Sequence, residues 1–147
     1  MLHTESTKSV SKVAASVASS GSLSHEIDTV NFDHLSIDVV FSPYTAATAS
    51  AASVLKLQSS DASGSGQADL SGFVGGTDFT VAAGSTTGAN VGYIHRFDVD
   101  LRGRKRYITV VATPGNTVAV ASLARLSRGN EQTLDAAGKG VNTASAG

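Results

Sequence analysis

Apolar side chains recur at every second position through much of this chain, and that period constrains the fold more than any other feature. The run 34–41 carries Leu35, Ile37, Val39 and Phe41 on one side with polar residues between them. Strict alternation over eight residues is the mark of a strand with one face buried. The same pattern predicts strands over 23–30, 53–58, 68–74, 77–82, 92–101, 106–113 and 117–126. Asn31-Phe32-Asp33, Ser42-Pro43, Gly75-Gly76 and Pro114-Gly115-Asn116 punctuate them with turn chemistry. Residues 10–17 alternate Val10, Val13 and Val17 with Ser, Lys and Ala, and read as an edge strand or an arm. The stretches 45–53, 59–67 and 84–90 read as loops, and 127–147 as a tail with Leu134 and Val141 as its sizeable apolar residues.

Composition points the same way. Ala, Ser, Thr and Gly make up 71 of 147 residues, which suits short strands and many turns better than long helices. No amphipathic helix separates the strands, so a parallel α/β sheet is excluded. The expectation is an all-β, antiparallel β-sandwich of the jelly-roll type with about eight strands and extended N- and C-terminal arms. The domain occupies 23–126, preceded by an arm or edge strand over 1–22 and followed by a tail over 127–147.

Charge and residue inventory narrow the function. A net charge of −1 gives the whole molecule no electrostatic case for nucleic acid or an acidic membrane. There is no cysteine, so no disulfide framework, and no run of apolar residues long enough to span a bilayer. Residues 1–20 lack the apolar core of a signal peptide. The four histidines, His3, His25, His34 and His95, have no metal-ligand spacing, and Asp98 and Asp100 lack the rest of a calcium loop. Gly64-Ser65-Gly66 is not a nucleophile elbow, and the scattered glycines make no phosphate loop. The reading is of a non-enzymatic protein with no catalytic residue, cofactor or metal.

The most conspicuous charge feature is Arg102-Gly103-Arg104-Lys105-Arg106. It reads as a hairpin tip whose cations meet either internal carboxylates such as Asp98 and Asp100 or a neighbouring subunit. A contact with nucleic acid ranks below both.

Three stretches carry a resemblance. Glu26-Ile27-Asp28-Thr29-Val30-Asn31-Phe32-Asp33-His34-Leu35-Ser36-Ile37-Asp38-Val39 is similar to the opening strand pair of small tailed-phage decoration proteins. Val54-Leu55-Lys56-Leu57-Gln58-Ser59-Ser60-Asp61 resembles a later strand end, and Arg104-Lys105-Arg106-Tyr107-Ile108-Thr109-Val110-Val111-Ala112-Thr113-Pro114-Gly115 the strand before their final hairpin. Together they cover roughly residues 23 to 126, and the loop 62–68 departs from the pattern by lacking an aromatic.

The resemblance implies a capsid decoration or cement protein, assembled in the host cytoplasm, that forms a dimer or trimer. It would sit on the outer shell of the virion and bridge major capsid protein subunits. On that reading the expected interface residues are Val10, Val13, Val17, Leu134 and Val141 in the arms, together with Arg102, Arg104, Lys105 and Arg106. A minor tail or fibre component, a carbohydrate-binding β-sandwich and a nucleic-acid-binding β-barrel are the other classes the chain admits.

Overall fold

The computed structural model describes residues 6–44, 50–84, 92–129 and 137–143. Eight strands run through them: β1 (Lys8–Val17), β2 (Leu23–Asp28), β3 (Phe32–Phe41), β4 (Val54–Ser60), β5 (Ala68–Val74), β6 (Tyr93–Asp100), β7 (Tyr107–Thr113) and β8 (Val118–Gly129). They form two four-stranded antiparallel sheets, ordered β1-β8-β3-β6 and β2-β7-β4-β5.

This order has a simple origin. Strands β1 to β4 lie against β8 to β5 as one long double hairpin, pairing β1 with β8, β2 with β7, β3 with β6 and β4 with β5. Rolling that ribbon brings β8 beside β3 and β7 beside β4, which closes each sheet. The result is a jelly-roll, the double-Greek-key form of the β-sandwich.

The alternation sets what goes inside. Leu35, Ile37 and Val39 of β3, Leu55 and Leu57 of β4, and Ile108 and Val110 of β7 are at most 1 % exposed and belong to one apolar cluster. Asn31 takes a left-handed conformation (φ 68°) between β2 and β3, which an Asn side chain tolerates better than most. Gly103 does the same (φ 74°) in the turn between β6 and β7.

Of the two readings of residues 10–17, the structure takes the strand. Strand β1 is an edge strand hydrogen-bonded to β8, with a bulge between Ala14 and Val17. The expected strand over 77–82 is not there. Phe79 bridges Gly75, and Asp78 accepts hydrogen bonds from the N–H groups of Gly72 and Val74, which curls the segment into a turn. This turn packs Phe79 against His95 and Phe97 (ring centroids 4.7 and 5.7 Å) and so covers the gap between the edges of β5 and β6. The eight strands therefore include β1 and omit 77–82. Strand β8 also continues to Gly129, three residues past the expected domain boundary.

The described part of the C-terminal segment folds back on the sandwich. Ser9 N–H donates to the Lys139 carbonyl (2.7 Å), and Gly140 closes a turn onto Ala137. The loop readings over 45–49 and 85–90, like the segment 1–5, fall outside the described residues.

One polar contact crosses the interior. His25 of β2 is 4 % exposed, and its Nδ1 lies 2.9 Å from the hydroxyl of Ser122 on β8 in the opposite sheet. Burial lowers the His25 pKa from its ordinary value, and the charge of Lys12 adds to the effect. The folded chain then binds fewer protons than the unfolded chain below about pH 6.5, so stability falls as pH drops through that window. His95, also lowered by burial, acts in the same direction. The hydrogen-bonded carboxylates Asp28 and Asp38, lowered rather than raised, keep their contribution until pH falls below about 4. Urea unfolding between about pH 7.5 and pH 5 is expected to show a loss of up to about 1.4 kcal/mol per pH unit from His25, with a smaller share from the partly exposed His95. His25→Asn is expected to reduce that slope to the share of His95, and an unchanged slope would mean that His25 is not the titrating group.

Candidate interaction surface

The two sheets present outer faces of different character. On the β2-β7-β4-β5 face the central row runs Glu26, Thr109, Gln58, Asp69 across the strands. The loop over 61–67 is tied down there: Ser63 hydroxyl and Gly64 N–H both donate to the Glu26 carboxylate, at 2.6 and 2.8 Å. Thr109 is only 3 % exposed, and its hydroxyl has no hydrogen-bond partner among the described residues. Gln58 and Lys56 both reach Asp69, at 2.8 and 2.7 Å. Apart from the Thr109 hydroxyl, the polar groups of this row find partners within the chain.

The β1-β8-β3-β6 face is open. Its registers align Val13, Ala121, Val40 and Ile94 in a single row across all four strands. Val13 is 73 % and Ile94 60 % exposed; Leu123, in the neighbouring row, is 49 % exposed. Three of the four large hydrophobic residues that stand exposed among the described residues thus lie on one sheet face, the fourth being Val30 in the β2–β3 turn. Scattered exposed apolar residues are ordinary, but a contiguous row is the signature of a contact surface.

Polar groups border the row. Arg96 holds Asp38 through two hydrogen bonds of 2.7 Å each. One row further along, Ser9, Arg125, Ser36 and Asp98 line up across the strands. Asp98 accepts a hydrogen bond from Ser36 (2.7 Å), whereas Arg125 makes no hydrogen bond or ion pair among the described residues.

The basic turn between β6 and β7 is the reverse case, because each of its cations is engaged within the chain. Arg102 pairs with Asp100 (2.6 Å), Lys105 with Asp61 (3.3 Å), and Arg106 grips Asp28 through two bonds of 2.9 and 2.7 Å. Arg104 donates to the Asp100 carbonyl (3.1 Å) and lies over the Phe73 ring. Arg102 and Arg106 hold the carboxyls of Asp100 and Asp28 below the usual range. The expected arm anchors also separate. Val17 is buried at 6 %, Val10 packs half-buried against the core, and Val141 is half-buried in the C-terminal turn. Leu134 lies outside the described residues. Among the described residues, Val13 alone of the expected contact residues reaches the open face.

Ile94, Leu123, Val40 and Ala121 escaped the reading of the sequence, although a signal for them exists. In β6 and β8 the phase that should be polar carries Ile94 beside Arg96, and Leu123 between Ala121 and Arg125. Apolar residues on both phases of these strands leave the outer face less polar than strict alternation predicts.

Little here is arranged for chemistry. His25 and Ser122 form a Ser–His pair, but Ser122 is fully buried and sealed between the sheets. Among the described residues no three His, Cys, Asp or Glu side chains gather as metal ligands. The open cleft lined by Ala52, Ser53 and residues 75–81 offers one carboxylate, Asp78, already committed to backbone N–H groups. The tyrosines give no flat platform for a sugar: Tyr44 is 1 % exposed, Tyr93 leans on Phe41, and Arg106 covers Tyr107. No helix among the described residues is long and apolar enough to cross a membrane. No known family model matches the chain, and no curated protein matches it.

The two phases of β3 and β6 predict opposite mutational responses. Ile94→Thr on the open face, measured by urea unfolding at low protein concentration, is expected to change stability by less than about 0.5 kcal/mol. Ile37→Ala on the inner face is expected to cost about 2–5 kcal/mol.

Proposed function

We propose that this chain is a virion structural protein, a capsid decoration or cement protein. It would bind the outside of a tailed-phage head and stabilise contacts between major capsid protein subunits. The observation that carries the reading is the strand order β1-β8-β3-β6 over β2-β7-β4-β5, wound around a single apolar core. Jelly-rolls of this order serve viral capsids, lectins and cupins. Fold alone does not choose among these, so the choice rests on the side chains.

A cupin-like enzyme needs ligands or a reactive group opening to solvent from within the sandwich, and here apolar side chains surround the one buried His25–Ser122 pair and shut it off from solvent. A lectin site needs an exposed aromatic or a bound cation, and Tyr93 and Tyr107 are tucked against Phe41 and Arg106. What the chain does display is broad sheet surface, the chemistry of protein–protein contact. The resemblance of 26–39, 54–61 and 104–115 to small decoration proteins adds to this reading.

A cement protein acts by interface burial repeated over the shell. Specific interfaces bury about 1,200–2,000 Å², and symmetry multiplies each weak contact. The engaged basic turn fits a subunit held by shape and apolar contact rather than by phosphate binding.

Heads assembled without this chain are expected to bind it back to a fixed stoichiometry, and to rupture at a higher temperature once they carry it. Cosedimentation and a thermal-release assay with purified heads measure both. Heads that neither retain the chain nor gain stability from it would end the reading. Recovery of the chain on tails instead would move it to the tail or fibre class.

A further inference from the structure

We propose that the outer face of the β1-β8-β3-β6 sheet is a homodimer interface, and that its occupant is the same face of a second copy. This names a surface for self-association. It holds whether or not the chain binds a capsid, because it rests on the row pattern of the face itself.

Two-fold symmetry makes the face complementary to itself. A two-fold axis running along the strands, in the plane between two such faces, keeps each row opposite its own counterpart and reverses the order of the strands. Strand β1 then lies over the partner's β6, and β8 over the partner's β3. The apolar row closes on itself: Val13 meets Ile94 of the partner subunit, and Ala121 meets the partner subunit's Val40. Packed sheets keep their strands within about 30° of one another, so this is an ordinary sheet-on-sheet arrangement.

Charge gives an independent reason. In the row Ser9, Arg125, Ser36, Asp98 the same operation places Arg125 over the partner subunit's Ser36. Neighbouring strands stand about 4.8 Å apart, so Arg125 comes within reach of the partner subunit's Asp98. The pair forms twice by symmetry. It answers an exposed guanidinium with no partner among the described residues, and adds a second cation to a carboxylate that has one serine hydrogen bond and the charge of nearby Arg96. A capsid surface would have to supply an apolar row and both charges in this spacing; a second copy already has them.

The area suits a weak association. Four strands about 4.8 Å apart, with paired lengths of about eight residues at about 3.3 Å each, give a face of roughly 500 Å² per copy. The total of roughly 1,000 Å² lies below the roughly 1,200–2,000 Å² of standard specific interfaces and in the range of weak, transient contacts. A reversible, concentration-dependent dimer is the expected outcome.

Sedimentation velocity over a micromolar concentration series tests this on the free chain, without heads. The mass is expected to rise from 14.8 kDa towards twice that value. Ile94→Lys points outward, so circular dichroism should be unchanged while the dimer is lost, with a dissociation constant at least tenfold higher. Arg125→Asp and Asp98→Arg are each expected to weaken the dimer, and the double variant to restore it. A chain that stays at 14.8 kDa up to the highest concentration overturns the proposal. So does a dimer that ignores Ile94→Lys, or a charge swap that fails to rescue. If Ile94→Lys instead abolishes binding to heads while the native chain is monomeric, the face belongs to the capsid protein and the pairing is wrong.

Discussion

The aliphatic layer between the two sheets is the constraint on which everything else in this molecule rests. With five Phe, three Tyr and no Trp in the chain, that layer has few large rings, of which Phe41, Tyr44 and Phe97 are buried in it. It is built from side chains such as Leu35, Ile37, Leu57, Ile108 and Val110, each excluded from water. Burying one such side chain contributes about 1.5–3 kcal/mol, against a backbone ordering cost of about 1–2 kcal/mol per residue. The balance is narrow, and it requires each of the eight strands to keep its pleat in phase. A slip of one residue would turn every inward Leu or Ile to solvent. The fixed pleat determines which residues face outward as well, so the open face is a by-product of the same register that makes the core.

Much of this was legible in the sequence because period two reports burial directly. Leu35, Ile37, Val39 and Phe41 announce β3 and its inner face without ambiguity. Residues 77–82 misled for a physical reason. Phe79 and Val81 have strand spacing, but two N–H groups converging on the Asp78 carboxylate, together with the Gly75–Phe79 bridge, hold that segment in a turn. Local pattern carries no information about such a contact. The strand β1 was the opposite case: its alternation is weak, and it becomes a strand because β8 supplies a partner along its length.

The contact surface was harder to see, and the difficulty has a cause. Runs of charge and apolar residues in termini are conspicuous along a sequence, whereas a sheet face is assembled from four strands distant in the chain. Val13, Val40, Ile94 and Ala121 are neighbours only through the register. The basic turn, conspicuous as a string of letters, folds so that Asp28, Asp61 and Asp100 answer Arg106, Lys105 and Arg102. Charges satisfied inside a chain contribute little to recognising a partner, and exposed pairs of this kind are worth little to stability as well.

The sheet edges bear on how such a molecule can associate. An open edge invites a further strand, and strand addition continues without limit unless something stops it. Here the edges carry obstacles. Lys12 Nζ donates to the Ser24 carbonyl on β2, Lys139 meets Ser9 on β1, and the Phe79 turn with Arg104 and Phe73 covers the gap between β5 and β6. Growth by edge pairing is therefore obstructed, while the broad face of β1-β8-β3-β6 stays open. Pairing through a face about a two-fold axis is closed after two copies, since the interface consumes itself. A subunit of the kind proposed must remain soluble at high concentration until it meets a shell, and closed pairing is the mode of association compatible with that requirement.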